Sequence, residues 1–178
     1  MKKILFAATF LLSFSSVSNA STLGNPTGYG KPPPGRDESQ IECLAFNIYH
    51  EARGENLAGK FAVADVTLNR TRDKRFPDTI CDVVKQGSLK YRKADHSPKI
   101  NVCQFSWWCD GKSDEPLDEE LWAISLDIAY KIGWGQSFRG ITEGATHYHA
   151  TYVDPAWSKD FYIVGRIGNH IFYRWDLD

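Results

Sequence analysis

Residues 48–55 read Ile-Tyr-His-Glu-Ala-Arg-Gly-Glu and bring two carboxylates, an imidazole, a phenol and a guanidinium into eight positions. Glu51 falls in the last turn of an apolar-periodic run. The helix dipole disfavours a negative charge there by about 0.3–1 kcal/mol. Partial burial would add to this and raise the carboxyl pKa. A carboxylic acid that stays protonated near neutral pH is what a glycosidic oxygen requires from its general acid. The plainer role for Glu51 is a surface ion pair with Arg53 or Lys60. Glu55 lies four residues on, the spacing of a carboxylate pair on one helix face. Gly54 stops the helix before Glu55 comes round, so a capping or salt-bridging role is expected of it.

Two further clusters could carry chemistry. His147 and His149 alternate on a predicted strand and project to one face. With His50 or His170 they could hold a metal, and Glu51 would then be the base of a metal-dependent amidase. The chain has no H-E-x-x-H motif, and histidines in an aromatic strand also serve as hydrogen-bonded wall residues. The stretch CQFSWWCDG, 103–111, combines an amide, a hydroxyl and two indoles. Aromatic faces beside polar groups suit sugar rings, which present C–H faces with hydroxyls around the rim. Tyr148, Trp157, Tyr162, Tyr173 and Trp175 add aromatic surface, whereas Trp122 and Phe172 are expected in the core.

These residues need elements to position them. Asp37 can cap a helix, with Gln40 completing a capping box. Ile41, Leu44, Ala45, Ile48, Tyr49 and Ala52 then repeat on one helical face. Leu57 to Thr71 is apolar on most sides, the mark of a central, buried helix. Asp65 is its anomaly, because a buried carboxylate needs a partner. Thr79 to Gln86 suggests a short helix carrying Cys81, and residues 87–116 read as irregular with an extended piece around Gln104 to Trp108. Asp118 caps another helix, with Leu121, Ile124, Ile128 and Ile132 on one face and its end at Gly133 or Gly135. Ala145 to Tyr152, Phe161 to Val164 and His170 to Trp175 read as strands, the last two joined by a hairpin through Gly165 to Asn169. Helices first and a small antiparallel sheet last define an α+β domain.

The chain opens on a secretory signal pattern: Lys2 and Lys3, an apolar core from Ile4 to Leu12, and Ser18-Asn19-Ala20 as the cleavage site. That apolar run is short for a membrane span, and no later stretch is long enough. A periplasmic or secreted protein beginning at Ser21 is expected. Residues 21–36 hold four glycines and four prolines and read as a linker, so the folded domain should occupy 37–178. Without the leader, nineteen basic residues face twenty-two acidic ones. That balance argues against a nucleic-acid partner. Four cysteines in an exported chain suggest two disulfides. Cys43–Cys81 and Cys103–Cys109 are favoured, because the second pair is close in sequence and leaves the first two together.

Together these blocks resemble the SleB/CwlJ-type, spore-cortex-lytic cell wall hydrolases. The match runs from Glu42 to Arg174. It is carried by YHEARGE (49–55), AVADVTLNR (62–70), QFSWWCDG (104–111), GATHYHA (144–150) and IGNHIFYR (167–174) in order. The resemblance implies a lysozyme-like helical core and a peptidoglycan substrate cut between N-acetylmuramic acid and N-acetylglucosamine. It implies lytic transglycosylase chemistry with Glu51 as the single acid/base, no cofactor, and a monomeric enzyme. Gln104, Ser106, Trp107, Tyr148, His149 and Asn169 are the expected groove residues. His50 and Asp65 depart from the family pattern, which has small residues at those places.

Overall fold

The computed structural model describes residues 37–87 and 103–176. The expected signal peptide and linker lie outside the described residues. Four helices precede a three-stranded antiparallel sheet: α1 Glu38–Glu51, α2 Leu57–Arg70, α3 Ile80–Val84, α4 Glu119–Gly133, then β1 His147–Ala150, β2 Tyr162–Ile167 and β3 His170–Arg174. The sheet order is β1-β3-β2. This is the expected α+β arrangement.

Each helix starts on a residue chosen for capping. Asp37 accepts from Ser39 N at 2.9 Å, Asn56 from Gly59 N at 2.9 Å, Thr79 from Asp82 N at 3.1 Å and Asp118 from Leu121 N at 3.0 Å. The capping box at Gln40 does not form in its usual sense. Its Oε1 instead accepts from Cys81 N at 3.0 Å, so the amide ties α1 to the start of α3. The Cys43–Cys81 disulfide fastens the same two helices.

The all-round apolar character of α2 is explained by its neighbours. One flank joins Phe61, Ala64 and Leu68 to Ile41, Leu44 and Ile48 of α1 and to Ile128 and Ile132 of α4. The opposite flank joins Ala62 and Val66 to Ala145 and to Phe172 of β3. Thus α2 is the middle layer between helices and sheet. Asp65 lies in it, fully buried, and is satisfied by three donors: Gly140 N at 2.9 Å, Thr142 N at 3.1 Å and Thr142 Oγ1 at 2.6 Å. It fixes the loop that leads into β1.

The hairpin between β2 and β3 is tighter than the glycine pattern implied. Strand β2 continues through Gly165 with a bulge between Ile163 and Gly165, and Ile167 pairs with His170. Only Gly168 and Asn169 turn the chain, and Gly168 has φ 59°, the left-handed geometry of the first position of a two-residue hairpin. The expected extended piece at Gln104–Trp108 is also different. Cys103 bridges Gly87, but Ser106–Cys109 is a 3-10 turn. The Cys103–Cys109 disulfide requires this, since its Cα atoms stand 6.1 Å apart. Six extended steps would span roughly 20 Å.

Candidate active site

The first helix ends on Glu51, half-buried at its C-terminus. The corner that follows is held by Lys60 of α2. Its Nζ donates to the carbonyls of Ala52 (2.6 Å), Arg53 (3.0 Å) and Glu55 (2.8 Å). A cation on these carbonyls counters the negative end of the α1 dipole. Arg53 goes to the Tyr49 hydroxyl at 2.6 Å. Neither Lys60 nor Arg53 forms the surface ion pair with Glu51.

Glu51 instead faces β1. The Tyr148 hydroxyl donates to Glu51 Oε2 at 3.1 Å. A pocket of about 220 Å³ opens here, lined among the described residues by Glu51, Arg70, Gln104, Phe105, His147, Tyr148 and Trp157. Burial pushes the Glu51 pKa above the ordinary carboxylate value, while the Tyr148 bond and the Arg70 charge pull it back. Burial also pushes the Tyr148 hydroxyl well up, so it remains a donor. His147 is pushed down to about 4 by burial and by the nearby Arg70 and Arg75, and is neutral near pH 7. The pocket therefore holds one protonatable carboxyl, one fixed cation and several neutral polar groups.

Arg70 was not singled out by spacing or composition. It ends α2, is 5 % exposed, and donates from Nε to Thr146 O at 2.7 Å. The Phe76 and Phe105 rings lie 5.2 Å from its guanidinium carbon. A charged residue closing an otherwise apolar helix, within AVADVTLNR, was the available signal. Trp157, a second lining residue, sits in the 3-10 turn Ala156–Asp160 before β2.

Gln104 and Tyr148 share the pocket with Glu51; Ser106, Trp107, His149 and Asn169 do not line it. Ser106 is exposed at the start of its 3-10 turn. Trp107 stacks on His50 at 4.5 Å and donates to Asn47 Oδ1 at 3.2 Å. It lines a separate cavity of about 440 Å³ with Phe46 and Trp108. His50 donates through Nε2 to Asp114 O at 3.0 Å. Its ring is therefore committed to Trp107 and Asp114, away from Glu51. Asn169 donates its backbone N–H to Glu55 Oε2 at 2.9 Å. Glu55 is thereby a structural neighbour that fastens the hairpin to the start of α2, and a Cβ at Gly168 would overlap the same oxygen.

The histidine cluster is built as a wall. His149 donates through Nδ1 to Ala150 O at 2.9 Å and accepts through Nε2 from the Tyr173 hydroxyl at 2.7 Å. Those bonds use both ring nitrogens. His147 stacks on Phe161 at 4.6 Å and bonds Thr146 Oγ1 through Nδ1 at 3.0 Å. Among the described residues no three His, Cys, Asp or Glu side chains converge on a metal-sized site.

The chain is similar to several known proteins. Residues 54–173 match the family described as Cell Wall Hydrolase; Glu51 lies three residues before the matched stretch. The spore cortex-lytic enzyme of Halalkalibacterium halodurans is 30% identical over 141 residues, covering 79% of this chain and 36% of the relative. That of Bacillus subtilis is 27% identical over 140 residues, covering 79% and 39%. The chain thus spans well under half the length of these relatives. Among solved structures, the catalytic domain of the Bacillus cereus SleB protein superposes with a TM-score of 0.54 at 25% identity, covering 83% of this chain and 100% of that one. The catalytic domain of the germination-specific lytic transglycosylase SleB from Bacillus anthracis gives 0.55 at 26% identity, covering 80% and 100%.

Proposed function

The chain belongs to the cell wall hydrolase family, and from that premise we propose that it is an exported enzyme that cuts the glycan strand of peptidoglycan between N-acetylmuramic acid and N-acetylglucosamine, as a lytic transglycosylase with Glu51 as its acid/base. One observation carries the reading: Glu51 is the single carboxylate lining the pocket among the described residues, and burial raises its pKa. An enzyme with one carboxylate needs a reaction that the same group can open and close. Protonated Glu51 gives its proton to the bridging oxygen as the bond to muramic C1 breaks, releasing the N-acetylglucosamine hydroxyl. The carboxylate so formed then takes the proton of the muramic 6-hydroxyl as that oxygen bonds to C1. The product is a 1,6-anhydro sugar, no water is consumed, and Glu51 ends protonated.

The neighbours support these roles. Tyr148 orients the carboxyl through its 3.1 Å bond. Gln104 offers an amide to sugar hydroxyls, and Trp157 and Phe105 offer apolar faces beside them. The two disulfides fit an extracytoplasmic location. Purified walls digested by the protein should release muropeptides one water lighter than hydrolytic products. Reducing muramic ends would point to a lysozyme-type reaction, and free stem peptides would overturn glycan-strand cleavage.

A further inference from the structure

The pocket poses a problem that a single carboxyl does not solve alone. Burial favours its neutral form, which suits the acid step but leaves the anion poorly solvated in the next. A counter-charge must stand near Glu51 without binding it, since a direct ion pair would take the proton away before the reaction. Arg70 meets that condition. It is nine-tenths buried, lines the same pocket, and makes no carboxylate contact within ion-pair distance among the described residues. Its Nε is used by Thr146 O, while Nη1 has no hydrogen-bond partner.

A purely structural residue could hold Thr146 O with an amide or a hydroxyl. Burying a full guanidinium for that purpose is costly, because a buried charge usually carries its own partner. Arginine also stays charged at every working pH. The Phe76 and Phe105 rings and the Thr146 carbonyl hold that charge in place.

We infer that Arg70 is a positioning residue for the reaction: a fixed, buried cation that stabilises the Glu51 carboxylate once its proton has left, so that one carboxyl can serve as acid and then as base. This rests on the proposed single-carboxylate reaction. The groups that face the pair are few. Tyr148 of β1 faces both Glu51 and Arg70, and His147 of β1 faces Arg70 with Arg75 and Asp73 beyond it. Tyr148 stays protonated and His147 neutral near pH 7, so the Glu51–Arg70 pair dominates the titration.

The test reads Glu51 directly. In carboxyl-labelled protein, the Glu51 NMR signal is the one missing in E51Q, and its titration midpoint can be followed without substrate. Removing the cation in Arg70→Gln should move that midpoint up by about one pH unit. Arg70→Met fills the slot between the phenylalanines and should do the same. Arg70→Lys keeps a charge and should hold the midpoint close to wild type. On cell walls, R70Q and R70M should lose at least tenfold in kcat, with the alkaline limb of residual activity shifted upward. An unchanged midpoint in either neutral variant overturns the inference, and so does failure of both to fold while R70K is stable, because Arg70 is then a residue of the fold alone. Wild-type protein that leaves walls intact, with the midpoint still moving, would sink the proposed function and leave the electrostatic coupling standing.

Discussion

Asp65 and Glu51 are two carboxylates in the helical layer of one small domain, set in opposite ways. Asp65, in the middle of α2, is fully buried and takes hydrogen bonds from three donors on one loop. Glu51, at the end of α1, is half-buried and takes one, from Tyr148. A carboxylate whose oxygens are all taken by donors of one loop is bonded into the fold and serves it. With one donor and a cation that shares its pocket without pairing with it, the carboxyl can gain and lose a proton at little cost to the rest of the molecule. The number of donors separates the two roles better than burial does.

Exchanging each carboxyl for its amide sharpens that contrast. Glu51→Gln should reduce wall-clearing activity by about three orders of magnitude, roughly 4 kcal/mol of transition-state stabilisation. Its stability should match or exceed wild type at neutral pH. The sign follows from the raised pKa. Ionised Glu51 destabilises the fold above the ordinary carboxylate range, so the Tm gap should open as pH rises through the raised value and close in acid. A folded E51Q that clears walls at the wild-type rate breaks the comparison outright.

Asp65→Asn should do the reverse. The amide loses one acceptor and turns an NH₂ toward groups that already donate. Stability should fall by about 3 kcal/mol and Tm by roughly 10 °C. Activity per folded molecule should stay within about twofold, because the lost acceptor here acts on the fold and not on proton transfer. Calorimetry beside an activity assay corrected for folded fraction would tell; a large loss of specific activity would mean the loop from Gly140 to Thr142 shapes the pocket.

Smaller effects refine the picture. Tyr148→Phe removes the one donor on Glu51 and should cost about tenfold in rate. Since that bond favours the anion, its loss should move the alkaline limit of activity to higher pH. Glu55→Gln keeps an oxygen for Asn169 N–H and should cost only about 1 kcal/mol of stability with little change in rate. If E55Q proved as inactive as E51Q, the reaction would need two carboxylates.

What could be read from the chain beforehand was mostly local. The caps at Asp37 and Asp118, the apolar faces of α1 and α4, and the buried character of α2 all follow from neighbours a few residues apart. The disulfide pairs were also within reach, as was the position of Glu51 at the end of α1. Residues whose partners lie far along the chain were not. Gln40 turned from a local cap to Cys81, 41 residues away, and Arg70 acquires meaning only when Thr146, 76 residues on, arrives beside it. Ser106 and Trp107 share a block with Gln104. A seven-residue disulfide ring turns them off the pocket, and residue spacing does not disclose that turn.

The clamp made by Lys60 has a use outside catalysis. Its ammonium spends its hydrogens on three backbone carbonyls, and the residue is only 6 % exposed. An amine-reactive label should therefore modify the surface lysines at once and Lys60 only when the corner between α1 and α2 opens. The labelling rate at this one side chain, read by mass spectrometry, becomes a clock for the local breathing that would let Glu51 drift from Tyr148.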